Sequence, residues 1–312
     1  MSSPEGEKTI EKGVSSPDLL LSPADVWDQD AAKRALDELF NLTYQYRASK
    51  AYYDLMQFIA RFRFYSPFNA MLVHVQMPGA KFVAPPYRWL RDYGRRVKPG
   101  ARPMVILQPM GPVMFVFDVS DTEGEFLPPE VEKPFEVRKG KINDNLINMT
   151  IENSKRDGVF IQTTRMGSQQ GGSIRTAKPG KEIKFRKSSV PVRYELELDQ
   201  KASKESRYAS LVHELAHLYC GHLGTPNDKW WRERRGLSEQ VREFEAESVA
   251  YMVCARLGID NPSEQYLACY VRDEKQVPSI SLECVMKAAG LIESMGRDKL
   301  KPRELKKSKT GR

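Results

Sequence analysis

The chain has 312 residues, 40% hydrophobic and 29% charged, the balance of a soluble globular protein with polar tails and long enough for one large or two ordinary domains. No apolar run approaches the length of a membrane span, and the stretch MSSPEGEKTIEKG has no signal-peptide core, so we expect a cytoplasmic protein with no membrane partner. A formal net charge of +8 points to polyanions as one partner class, and four cysteines without C-x-x-C spacing (Cys220, Cys254, Cys269, Cys284) fit reduced, mostly buried thiols.

Residues 1–28, rich in Ser, Pro, Glu and Lys, read as a disordered arm. A helical stripe follows at Ala35, Leu36, Leu39, Phe40 and Leu42, and a second at Tyr53, Leu55, Met56, Phe58 and Ile59. Ser66-Pro67 predicts a helix start, with Ser66 as N-cap and Pro67 in the first helical position. That helix carries Phe68, Asn69, Leu72 and Val73 to a turn at Pro78-Gly79, and a further short helix ends at Gly94. After a turn at Val97-Lys98-Pro99-Gly100, strands at 104–107 and 113–119 pair as a hairpin.

Aromatic and basic residues interleave here, as single-stranded nucleic acid requires: flat rings stack on bases while Arg and Lys track phosphates. The candidates are Trp89 with Arg88, Arg91, Arg95, Arg96, Lys98 and Arg102. The competing reading places Trp89, Tyr87 and Phe68 in a core and the arginines on a solvated face. Much of this region resembles the N-terminal, single-stranded-DNA-binding domain of the ArdC family of antirestriction proteins. The resemblance rests on Ser66, Asn69, Leu72, Trp89, Gly94-Arg95, Val97-Lys98-Pro99-Gly100, Ile106, Pro109 and Phe117-Asp118-Val119.

Prolines and acids from Glu125 to Pro134 suggest a boundary. Beyond it the pattern predicts a helix over Asn143–Lys155, a strand over 158–164, a flexible hairpin tip at Gly167–Gly172 and a strand over 173–176. The alternation Val192–Leu198 reads as a strand, by analogy with peptidases an edge strand that aligns a peptide substrate.

Leu211-Val212-His213-Glu214-Leu215-Ala216-His217 is an H-E-x-x-H run in an apolar helical pattern capped by Ser203 and stopped near Gly221. Residues four apart differ by roughly 400° of helical rotation, so His213 and His217 share a face and can bind one Zn²⁺ ion. Glu214 beside them is the candidate general base for water activated by the metal. His222 departs from the metzincin spacing and is expected to play a structural or supporting part. A third ligand is expected from the helix between Ser238 and Gly258, where Glu243 and Glu247 lie four apart on one face; Glu245 points elsewhere and is expected to be solvated. Tyr251 and His222 are candidate oxyanion stabilisers. Helices near 263–271 and 281–295 precede a basic tail at 297–312, solvated by default.

HELAHLYCGH followed by EFEAESVAYMVCARLGI is similar to the zinc-peptidase-like domains of the ImmA/IrrE and ArdC families. The resemblance implies Glu243 as third ligand, with Glu247 as the alternate or as a residue that orients a ligand. We therefore expect an α+β protein of two domains. Residues 29–126 form a small helix-plus-hairpin DNA-binding domain, and 135–296 a gluzincin-like domain with the metal helix beside a short antiparallel sheet. The expected function is zinc-dependent peptide-bond hydrolysis, on an unknown protein or peptide, coupled to single-stranded-DNA binding. The rival is a non-catalytic DNA-binding antirestriction protein with a structural or vestigial zinc site.

Overall fold

The computed structural model describes residues 46, 48–108, 111–127, 142–166, 171–259, 261–273 and 276–303. The expected arm at 1–28, the stripe at 35–42, most of the boundary segment, residues 167–170 of the glycine-rich tip and the end of the basic tail lie outside them.

Helix α1 (Ser49–Arg61) buries Tyr52, Leu55, Met56 and Ile59, the spacing of one helix face. Helix α2 (Pro67–Gln76) starts as expected, the Ser66 hydroxyl accepting from Asn69 N–H at 3.3 Å with Pro67 in the first turn. Strands β1 (Val83–Ala84), β4 (Gly111–Asp118) and β3 (Met104–Gln108) form a sheet in the order β1-β4-β3, in which β3–β4 is the expected hairpin. The free edge of β3 is covered by side-chain amides of α2 rather than by a strand. Asn69 donates to Leu107 O at 2.9 Å and accepts from Leu107 N–H at 3.0 Å; Gln76 does the same with Val105 at 2.9 and 2.8 Å.

Helix α3 (Pro86–Tyr93) ends at Gly94 as expected. Val97 closes a short strand, β2 (Arg95–Val97), which pairs with β5 (Thr122–Gly124); the expected turn contracts to Pro99-Gly100.

In the second half, α4 (Asp144–Ser154) is capped by Asn143. Strands β6 (Val159–Thr164), β7 (Gly172–Thr176) and β10 (Tyr194–Asp199) make a sheet in the order β6-β10-β7, while β8 (Glu182–Phe185) and β9 (Ser188–Pro191) pair as a separate hairpin. This corrects three expectations. β10 is the central strand, not an edge; β6 and β7 do not pair with each other across the glycine-rich segment; and the sheet is mixed, β10 running parallel to β6 and antiparallel to β7. Alternation reports that one face of β10 is buried, here through Tyr194, Leu196 and Leu198, but carries no information on lateral position in the sheet.

Four helices complete the fold: α5 (Lys204–Tyr219), α6 (Glu239–Leu257), α7 (Pro262–Arg272) and α8 (Leu282–Arg297). One hydrophobic cluster runs through the described residues from Tyr46 to Met295 and includes α1, α2, α5, α6 and α8. A smaller cluster of Phe82, Ala84, Trp89 and Phe117 packs with Tyr93 and Val97.

The composition break after Glu125 therefore does not divide the core. Two buried polar contacts show why α1 cannot be separated from α6. Tyr52 donates to Ser248 Oγ at 2.7 Å. The Arg256 guanidinium pairs with Glu293 at 2.5 Å and donates to Ile59 O, Phe62 O and Tyr65 O, taking up carbonyls at and beyond the end of α1. The start of the basic tail is also docked rather than solvated: Arg303 pairs with Asp157 at 2.7 Å and lies 4.9 Å from the centre of the Trp230 ring. Among the described residues no helix is long and apolar enough to cross a membrane.

Candidate metal centre

Helix α5 begins at Ser203, whose hydroxyl accepts from Ser206 N–H at 3.1 Å, and buries Leu211, Val212, Leu215 and Leu218. With those faces in the core, His213 and His217 are left partly exposed. Their Nε2 atoms lie 3.2 Å apart. Helix α6, started by Ser238, packs across α5 and brings Glu243 to the same point, its oxygens each 3.5 Å from one of the two Nε2 atoms. The three ligand atoms lie within 4.8 Å of one another and can hold a metal ion.

Glu247, a turn further along, stands 3.6 Å from the other nitrogen of His213, Nδ1. The two carboxylates weighed from sequence thus occupy different places, Glu243 among the converging donors and Glu247 behind a ligand ring.

The donor set fits zinc. Two imidazole nitrogens and a carboxylate oxygen are ligands that zinc accepts, and three protein donors leave a fourth position open. Contacts at 3.2 to 3.5 Å among two ring nitrogens and a carboxylate oxygen are long for hydrogen bonds, and a shared cation would satisfy all three. The electrostatics agree. The imidazoles of His213 and His217 facing it hold the Glu243 carboxyl well below the usual range, against the effect of burial. For His213 burial works downward, but Glu243, Glu247 and Glu214 outweigh it and push the imidazole up.

Glu214 is buried between α5 and β7, and burial raises its carboxyl against the pull of His213 and His217. It accepts a backbone hydrogen bond from Ile174. Gly172 permits this approach: a Cβ there would stand 3.1 Å from Glu214 Cγ and 3.3 Å from Glu197 O. The strand flanking the site is therefore β7, at the sheet edge, rather than β10.

Glu245 corrects the expectation of a solvated carboxylate. It is fully buried; the Arg234 guanidinium grips both its oxygens at 2.6 Å, Ser281 N–H donates to it at 2.7 Å, and His222 Nε2 contacts it at 2.9 Å. Burial alone would raise this carboxyl, but these partners lower it. His222 is buried as well, and burial lowers its imidazole; its Nδ1 lies 3.0 Å from His217 Nδ1. A signal for Glu245 was present in the sequence: α6 is apolar on nearly all sides, through Phe244, Ala246, Val249, Met252 and Val253, so the face opposite the ligands is core rather than solvent. Arg234, in the loop between α5 and α6, had no such signal. Of the two oxyanion candidates, Tyr251 is buried with Glu264 and Arg61 as its charged neighbours, and His222 has both ring nitrogens engaged. Tyr266 of α7, not singled out from sequence, has Glu247 and Glu243 among its electrostatic neighbours.

The nucleic-acid candidates divide. Trp89 is fully buried and its indole N–H donates to Phe117 O at 3.0 Å, so no base can stack on it. Arg88 and Arg91 both pair with Asp92, Arg95 donates to Thr122 and to Glu125 O, and Lys98 donates to Ser120 O. Arg96 and Arg102 are exposed. The exposed rings nearby include Tyr87, with the Arg91 guanidinium 5.7 Å from its centre, Phe64 and Phe126.

No family model matches the sequence, and no curated protein or solved structure matches it significantly.

Proposed function

We propose that the chain is an ArdC-like, DNA-associated zinc metallopeptidase whose metal is held by His213, His217 and Glu243. The observation that carries this reading is the convergence of those three donors from two helices, with the Glu214 carboxylate beside them and an open sheet edge alongside. A zinc ion there supplies a positive charge that polarises an amide carbonyl and acidifies water. The chain's own residues do the rest. Glu214, steered by Ile174 N–H, takes the proton of the attacking water and returns it to the leaving amine. The free edge of β7 aligns an extended peptide by backbone pairing, with Gly172 and Ile174 closest to Glu214. Tyr266 is our candidate donor to the developing oxyanion.

For the DNA-binding part, stacking passes from Trp89 to the exposed Tyr87 and Phe64, with Arg91, Arg96 and Arg102 as phosphate partners. The burial of Tyr251 and the engagement of His222 favour the rival, a non-catalytic DNA-binding protein with a structural zinc site.

The deciding experiment compares the wild type with Glu214→Gln, both loaded with zinc, on a casein or random-peptide substrate pool. Hydrolysis by the wild type alone supports the peptidase, whereas equal turnover by the two proteins removes Glu214 from the mechanism. Zinc uptake without turnover by either selects the rival.

A further inference from the structure

Three polar side chains behind His217 take no part in the ligand set or in proton transfer: the buried His222 and Glu245, and the half-buried Arg234. They form one chain of contacts. Arg234 forks onto Glu245 with both contacts at 2.6 Å, Glu245 Oε2 meets His222 Nε2 at 2.9 Å, and His222 Nδ1 meets His217 Nδ1 at 3.0 Å. The far nitrogen of His217, Nε2, faces His213 and Glu243.

The proton positions follow from donor and acceptor capacity. A carboxylate only accepts, so the hydrogen in the His222–Glu245 contact sits on His222 Nε2. Arg234 neutralises that carboxylate, so it does not draw a second proton onto His222. A neutral imidazole has one N–H, so His222 Nδ1 is an acceptor and His217 must supply the hydrogen from its own Nδ1. Having placed its one proton there, His217 presents a bare lone pair at Nε2.

We propose that Arg234, Glu245 and His222 are positioning residues that lock His217 in the tautomer whose Nε2 lone pair faces the metal centre. The chain extends into the backbone. Arg234 N–H donates to Gly221 O at 3.0 Å, and its guanidinium also donates to Cys220 O at 3.0 Å, which folds the loop after α5 back on the end of that helix. At Gly221 the backbone has φ of 82°, and a Cβ would stand 2.0 Å from Arg232 O, so only glycine lets the loop close and deliver Arg234. The other ligand is held less tightly, since Glu247 faces His213 Nδ1 at 3.6 Å, beyond hydrogen-bond range. The assigned tautomer is a property of the metal-free chain; its use in metal binding rests on the zinc reading above.

The chain holds only 4 histidines, so their ring nitrogens can be resolved by long-range ¹H–¹⁵N spectra of the full-length, metal-free protein. The expected spectrum shows His217 protonated on Nδ1 with Nε2 bare; an Nε2-protonated His217 overturns the proposal whatever the metal does. Two variants then measure the consequence by chelator competition for Zn²⁺. His222→Phe removes the acceptor and should weaken zinc binding by about 10–100-fold. His222→Gln offers an amide oxygen to His217 and an amide N–H to Glu245, and should recover most of the affinity. Wild-type affinity in His222→Phe, or no recovery in His222→Gln, argues against the relay; a misfolded His222→Phe leaves the decision to the wild-type spectrum. A wild type with the stated tautomer that takes up no zinc would overturn the metal reading alone.

Discussion

The region from α2 to β5 and the crossing of α5 with α6 both hold polar residues singled out from the sequence, but those residues do different work. In the first region those residues are bonded to backbone. Asn69 finishes the edge of β3, Trp89 donates to Phe117 O, and Asp118 accepts from Lys81 N–H, Phe82 N–H and Ser120. A sheet this small leaves backbone groups unpaired, and side chains make up the difference. In the second region His213, His217 and Glu243 approach mainly one another, on a partly exposed face, in contacts too long for good hydrogen bonds. Polar residues whose partners are backbone stabilise a fold; polar residues that converge on one point can hold an ion.

Substitutions should expose that difference. The largest effect is expected at the metal: His213→Ala should reduce zinc from near-stoichiometric to none by elemental analysis, while the melting temperature of the metal-free protein stays close to wild type. Glu243→Gln should lose most of its zinc and Glu247→Gln keep it; the reverse order would exchange their roles. Glu214→Gln should retain zinc yet lower peptide hydrolysis by roughly 10²–10⁴-fold in initial-rate assays. Trp89→Ala should act on the fold, costing about 3–5 kcal/mol in denaturant unfolding through the lost core volume and the unpaired Phe117 carbonyl. A Trp89→Ala protein that melts normally but no longer binds DNA would reverse the assignment of that residue. Tyr87→Ala should leave unfolding unchanged and weaken single-stranded DNA binding by about 1–3 kcal/mol in fluorescence anisotropy. Smallest of all, Arg96→Gln and Arg102→Gln should each flatten the salt dependence of that binding by about 0.7 in log–log slope.

The helices were legible because their end signals are local. Ser66-Pro67, Ser203 and Ser238 cap as expected, and Asn143 caps the helix expected to begin with it, since a side chain satisfies an N–H only two or three residues away. That His213 and His217 share a face was legible for a related reason, since helical spacing sets it before any tertiary contact forms, whereas the meeting of Glu243 with them depended on α6 packing across α5. Strand order was not legible: β10 has the alternation of a half-buried strand wherever it lies in a sheet, and its central place was decided by β6 and β7 arriving from opposite sides. The burial of Trp89 was also beyond local pattern, because it is buried by segments distant in the chain, and the apolar surround of Glu245 in α6 did not show which groups would pair with it.

The sequence by itself determined which residues form helices, where those helices start and which of their faces carry the candidate ligands, because these depend on contacts within a few residues. Only the tertiary structure decided that α1 shares a core with α6, that β7 rather than β10 borders the site, and that Glu245 joins Arg234 and His222 behind the candidate ligands. Those outcomes depend on which side chains exclude water together, and pairing a buried charge across separate segments leaves no periodic trace along the chain.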